Sequence, residues 1–169
     1  VVMRSLFIAF FLISVALINP AEPVQAVSRC KESGEGCSVG MIGPGGGVVF
    51  YDAGSLQWWG RFLEARMEPK AFGSNWGPRE SLYIDGQDGL SISMLRLRSM
   101  QIGMGAKNTQ LMLEKFGAAS IAGKIQSGWS IPSVDELDAL YNYWKLGGAG
   151  RFYRGVIWSS SEQSATFAW

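Results

Sequence analysis

The chain has 169 residues, 47% of them hydrophobic and seven of them Trp, enough to bury a real core in about one domain. Its formal net charge is +1, with acidic and basic residues mixed along its length, so neither a nucleic-acid footprint nor a polybasic membrane-binding run is present. It contains no His, which excludes a Ser-His-Asp triad, and its 22 Gly are not periodic, which excludes a collagen-like chain.

Residues 1–26 read as a secretory signal. Arg4 supplies the positive start, Leu6 to Ile18 is an apolar run broken only by Ser14, and Val24-Gln25-Ala26 offers small residues for cleavage. The run is well short of the roughly 20 residues needed to span a bilayer, so no membrane span is expected once the signal is cleaved. Arg29 before Cys30 is too large and too charged for a lipoprotein signal. The protein is expected to be exported, secreted or held at the cell surface. Residues 27–37 form the next segment, where Cys30 and Cys37 bracket a Gly-containing turn and read as a small disulfide loop in an oxidising compartment. A redox site would want a two-residue spacer, and a metal site more ligands.

Gly40 to Gly47 is tempting as a phosphate cradle, but the Gly-Lys-Ser/Thr ending is missing and no helix pattern follows. A tight turn leading into a hairpin strand, Val48-Val49-Phe50-Tyr51, fits better, with Phe62-Leu63-Glu64-Ala65 as the return. Trp58 and Trp59 lie between them; paired tryptophans on a turn can stack on a sugar, although such residues more often pack a core. Residues 68–89 read as loop, and Asp85-Gly86-Gln87-Asp88-Gly89 lacks the ligand spacing of a calcium loop. Leu95-Arg96-Leu97-Arg98 alternates with period two and predicts a half-exposed strand.

Asn108 or Thr109 is expected to cap a helix that ends at Phe116 before Gly117, and Ala118 to Gln126 a second short helical piece. Gly128-Trp129-Ser130-Ile131-Pro132 reads as a buried strand turning directly into a helix. Ser133 and Glu136 have capping-box spacing there, and Asp135 and Glu136 favour the positive end of the helix dipole. Leu137, Leu140, Tyr141 and Trp144 fall on one apolar face, predicted to be buried against strands containing Trp129 and Trp158. Lys145 and Gly147-Gly148 mark the end. Arg151, Tyr153 and Arg154 follow in a glycine-flanked loop, and Val156 to Glu162 reads as a last strand. These elements define an α+β fold of about two helices on a small, irregular, mostly antiparallel sheet.

Four of these pieces, in order, carry a family likeness: Gly43 to Tyr51, Ile102 to Thr109, Gly128 to Leu137, and Val156 to Glu162 running on to Ala168-Trp169. Residues 38–169, outside 54–101, resemble the C-terminal domain of the Lcl-type collagen-like adhesins. The resemblance implies a C-type-lectin-like fold, distantly related to the formylglycine-generating enzymes, and an extracellular setting. It implies no particular reaction or ligand. Members of the family commonly carry Asp and Thr where Met41 and Ile42 stand here, and continue past the Ala-Trp pair with strands that close the sheet. By that comparison, and lacking a start Met, the chain looks like a fragment with its last strands missing.

Ser159-Ser160-Ser161 invites a nucleophile reading, but no His is available and neither Lys124 nor Lys145 is suitably spaced. The formylglycine-generating relatives depend on late cysteines, absent here after Cys37. An enzyme is not expected, nor a cofactor or metal. The expectation is a secreted or cell-surface binding module, recognising a glycan or protein on a cell surface through Arg151, Tyr153, Arg154, Ser159, Ser160, Ser161 and Glu162. The alternatives are a structural or assembly domain of a longer surface protein, and a degenerate enzyme with free Cys30 and Cys37.

Overall fold

Val48–Gln57 (β1) and Gly60–Ala65 (β2) form an antiparallel hairpin in the computed structural model, which describes residues 28–66, 75–148 and 157–169. The signal segment, and the loop bearing Arg151, Tyr153 and Arg154, lie outside the described residues. Val48 and Val49 are wholly buried because β1 is covered on both edges. β2 pairs along one edge, while on the other Gly40 N donates to Val49 O, Val49 N donates to Met41 O, and Ile42 bridges Val48. Ile42 in turn bridges Arg29, beside the Cys30–Cys37 disulfide, which is formed as expected. The glycine stretch is the tight turn expected, and it folds over an internal carboxylate. The Glu64 carboxylate accepts from Gly45 N at 3.1 Å and Gly47 N at 3.0 Å.

Three α-helices follow: Ile92–Met100 (α1), Met104–Phe116 (α2) and Val134–Lys145 (α3). The strand expected at Leu95 to Arg98 is corrected to α1. The Ser91 side chain caps it by accepting from Met94 N, and Leu95 and Ser99, four residues apart, are its buried face. The alternation was coincidental, since Leu97 is exposed and Arg96 turns inward, while Met, Leu and Arg are all good helix formers. The start of α2 is corrected too. It begins at Met104 with Gly103 as N-cap, leaving Asn108 and Thr109 buried inside the helix, and Gly117 ends it as expected. The piece from Ala118 to Gln126 is two 3-10 turns, Gly117–Ala119 and Ile121–Lys124.

For α3 the capping box is present in full: Ser133 Oγ accepts from Glu136 N and the Glu136 side chain accepts from Ser133 N. The buried face differs from the expectation. Tyr141 is 55% and Trp144 39% exposed, Leu137 and Leu140 are half-buried, and Glu136 alone is buried. The helix turns inward through Glu136, Ala139 and Tyr143, one residue back from the apolar stripe, a rotation of about 100°. A buried carboxylate that must reach two backbone sites fixes this rotation more strongly than the stripe does.

The chain closes with a short hairpin, Glu162–Ser164 (β3) and Phe167–Ala168 (β4). Of the strands expected at Gly128 to Pro132 and at Val156 to Glu162, only Glu162 joins a ladder among the described residues, as the first residue of β3; Gly128 to Pro132 and Ile157 to Ser161 do not. Instead Ser160 N donates to Pro132 O, Ser159 N to Trp169 O, and Thr109 Oγ1 inside α2 accepts from Ile131 N. The main core gathers Leu95, Met112, Phe116, Ile121 and Ile131 around Trp76, Leu82 and Tyr83. The architecture is therefore α+β: the described residues form three α-helices and two separate two-stranded antiparallel sheets, in place of about two helices on one sheet. Among the described residues no helix is long and apolar enough to cross a membrane.

Candidate functional site

Ser159, Ser160 and Ser161 are fully buried and Glu162 is 1% exposed, so the expected exposed face is corrected to an internal hub. Their polar atoms are committed to backbone and interior partners. Ser160 Oγ donates to Pro132 O at 3.1 Å, and Ser161 Oγ donates to Ser99 O at 2.9 Å while accepting from Val134 N. Ser159 O accepts from the Trp76 indole at 2.7 Å. Asn108 links the hub to α2, donating to Ser99 O and Ser160 Oγ and accepting from the Tyr83 hydroxyl. Burial pushes the Tyr83 phenol up to about 12. Glu162 takes a 2.6 Å ion pair from Arg96 and accepts from Ser81 Oγ and Leu82 N. Such an array holds the C-terminal segment against α1, α2 and the start of α3.

The open chemistry lies elsewhere, where the tip of the first hairpin meets α2. Trp59 turns inward: a Cβ built on Gly103 would lie 2.0 Å from its Cδ1, so the indole packs directly on the Gly103 backbone. Gly103 has φ +91, a conformation glycine adopts without strain. Its neighbour Trp58 is consequently turned outward and is 71% exposed. It borders a groove of about 270 Å³ with Arg98, Gln101, Ile102, Met104 and Lys107. Arg98 pairs with Asp88, and that contact holds the Asp88 carboxyl below its ordinary range. Gln101 and Lys107 are exposed. The groove thus offers an indole face, an amide and two cations, a set able to stack on an apolar ring and bond to its polar edge.

The floor of this groove is held from beneath. Glu136 Oε1 accepts from Gly103 N at 2.8 Å and Gly105 N at 3.2 Å, while Oε2 accepts from Ser133 N at 2.9 Å. Ser133 Oγ donates to Gln101 O at 2.9 Å. One carboxylate therefore caps the N-termini of both α2 and α3. Burial holds its carboxyl above the ordinary range, against the lowering effect of its three N–H donors.

A second, larger depression of about 550 Å³ lies between β1 and α3, lined by Val39, Phe50, Ala139, Tyr143 and Leu146 among others. It is mainly apolar, and the Tyr143 hydroxyl beside it is buried with no partner among the described residues. Among the described residues there is also no group of three or more Cys, Asp or Glu able to hold a metal ion.

No protein-family model, curated protein or solved structure matches the chain. Of the binding residues expected from sequence, Ser159 to Glu162 are brought together, but in the interior. Trp58 carried a visible signal, as half of a tryptophan pair on a hairpin turn. Arg98, Gln101 and Lys107 carried none, because the alternation of Leu95 to Arg98 points to a strand and Asn108 or Thr109 to a later start of α2.

Proposed function

We propose that the protein is an exported, surface-displayed recognition module of C-type-lectin-like fold that binds a saccharide through the Trp58 groove. The single observation behind this reading is the outward Trp58, held in place by Trp59 on Gly103 beside Arg98, Gln101 and Lys107. The flat face of the exposed indole suits the apolar side of a pyranose, and the cations and amide beside it suit the ring's polar edge. Binding rather than catalysis is the role, and the Cys30–Cys37 disulfide speaks against the degenerate-enzyme alternative, which needs free thiols. The disulfide is also compatible with export into an oxidising compartment. The assembly reading draws on a different observation, the exposed Tyr141, Trp144 and Leu146 on and after α3.

A glycan array, joined to a pull-down from cell-envelope material, tests the proposal with wild type and Trp58→Ala. Saturable binding lost in Trp58→Ala is the expected result. Binding that survives this change, or no saturable binding at all, overturns the saccharide site. An envelope protein captured equally by both forms supports assembly instead.

A further inference from the structure

The saccharide reading places Trp58 at the surface; a deeper question is what sets its position. Three interior contacts converge on the short segment from Gln101 to Gly105 that floors the groove. Ser133 Oγ holds the Gln101 carbonyl, and Glu136 holds the amides of Gly103 and Gly105. The same two side chains form the capping box of α3. Trp59 rests on Gly103, and Trp58 is covalently next to it. A displacement of Gly103 therefore has to move the indole packed against it, because that contact is already too close to admit even a Cβ.

We infer that Glu136 and Ser133 are positioning residues for the Trp58 groove, so that the capping of α3 and the presentation of Trp58 are one coupled unit. Nothing in a capping box alone requires this. A box needs only the Ser133 and Glu136 side chains and their own backbone N–H groups. Here the carboxylate's other oxygen and the hydroxyl's proton both reach across to residues more than thirty positions away in sequence. Glu136 is 5% and Ser133 0% exposed, so water is a poor substitute for either partner. The inference rests on the saccharide reading for its functional meaning, but its test needs no ligand.

The exported protein labelled with fluorotryptophan gives one fluorine resonance per Trp, and Trp58→Phe and Trp59→Phe assign the two signals of interest. In Glu136→Gln a neutral amide keeps one acceptor oxygen but cannot serve both the glycines and Ser133 N. The expected result is a shift of the Trp58 and Trp59 resonances by more than a linewidth in Glu136→Gln and Ser133→Ala. Trp76, which is bonded to Ser159 O, should stay in place. Asp138→Ala, exposed on the same helix, should move neither signal. Helix content lost with Trp58 and Trp59 unmoved overturns the inference, as does an equal shift of every Trp. Should Ser133→Ala fail to fold, Glu136→Gln carries the test by itself with the same two outcomes. Failure of the saccharide reading is separately visible. In that case Trp58→Ala leaves array binding unchanged, while Glu136→Gln still moves the Trp58 signal.

Discussion

Glu136 illustrates how one side chain can set more than its own helix. Its carboxyl is held above the ordinary value of 4.5 by burial first, with its backbone donors acting in the opposite sense. The folded state therefore binds the proton more readily than the unfolded chain does. The stabilising contribution of this linkage is full below the ordinary value and is lost as pH rises through the folded value. Asp135, next to Glu136, is also shifted up by burial and by Asp138, and works in the same direction. Urea unfolding of wild type and Glu136→Gln across this range should show the wild type gaining ground as pH falls. The opposite trend would mean that the three N–H bonds outweigh burial. Glu162 is a different case, because it is buried with a cation. Glu162→Ala strands the Arg96 guanidinium and Leu82 N, and should cost about 3–5 kcal/mol by thermal or urea denaturation.

At the scale of elements, α3 and the α2 entry are the units whose stability can be ranked. Ser133→Ala removes both a cap and the Gln101 tether from a fully buried site, and should cost about 1–2 kcal/mol. Asp138→Ala, on the solvent side, should be near neutral, within about 0.5 kcal/mol. Gly103→Ala forces a Cβ into the Trp59 indole at φ +91 and should cost at least about 1–3 kcal/mol. The same change should displace Trp58, since the two indoles are adjacent. An α2 that tolerated this substitution with unchanged unfolding would show that the hairpin tip is not clamped there. The α3 capping box was legible because its signal is local, Ser and Glu three residues apart. The α2 cap was not, because its acceptor comes from Glu136, across the fold. The α1 helix was missed because two Leu and two Arg alternate by chance in a segment whose helical face is carried by Leu95 and Ser99.

At the scale of the whole molecule, two small sheets and three α-helices among the described residues leave several large apolar side chains in water, among them Leu56, Trp58, Leu146 and Phe167. The Cys30–Cys37 disulfide closes a short loop beside the strand partner Ile42, and Cys30→Ser with Cys37→Ser should cost about 2–3 kcal/mol in unfolding. Reduction of the wild type should reproduce that loss without altering the Trp58 groove, since the loop contributes nothing to its lining.

The sequence by itself determined the first hairpin, the disulfide, the α3 helix with its cap, and the mixed α+β class. Each rests on residues close together in the chain, where turn chemistry, spacing and capping act without help. Only the tertiary structure decided which face of α3 turns inward, where α2 begins, and that Ser159 to Glu162 are interior. Those outcomes depend on buried polar groups finding partners dozens of residues away. Side-chain periodicity cannot register such pairing, and the cost of an unpaired buried group is large enough to overrule an apolar stripe.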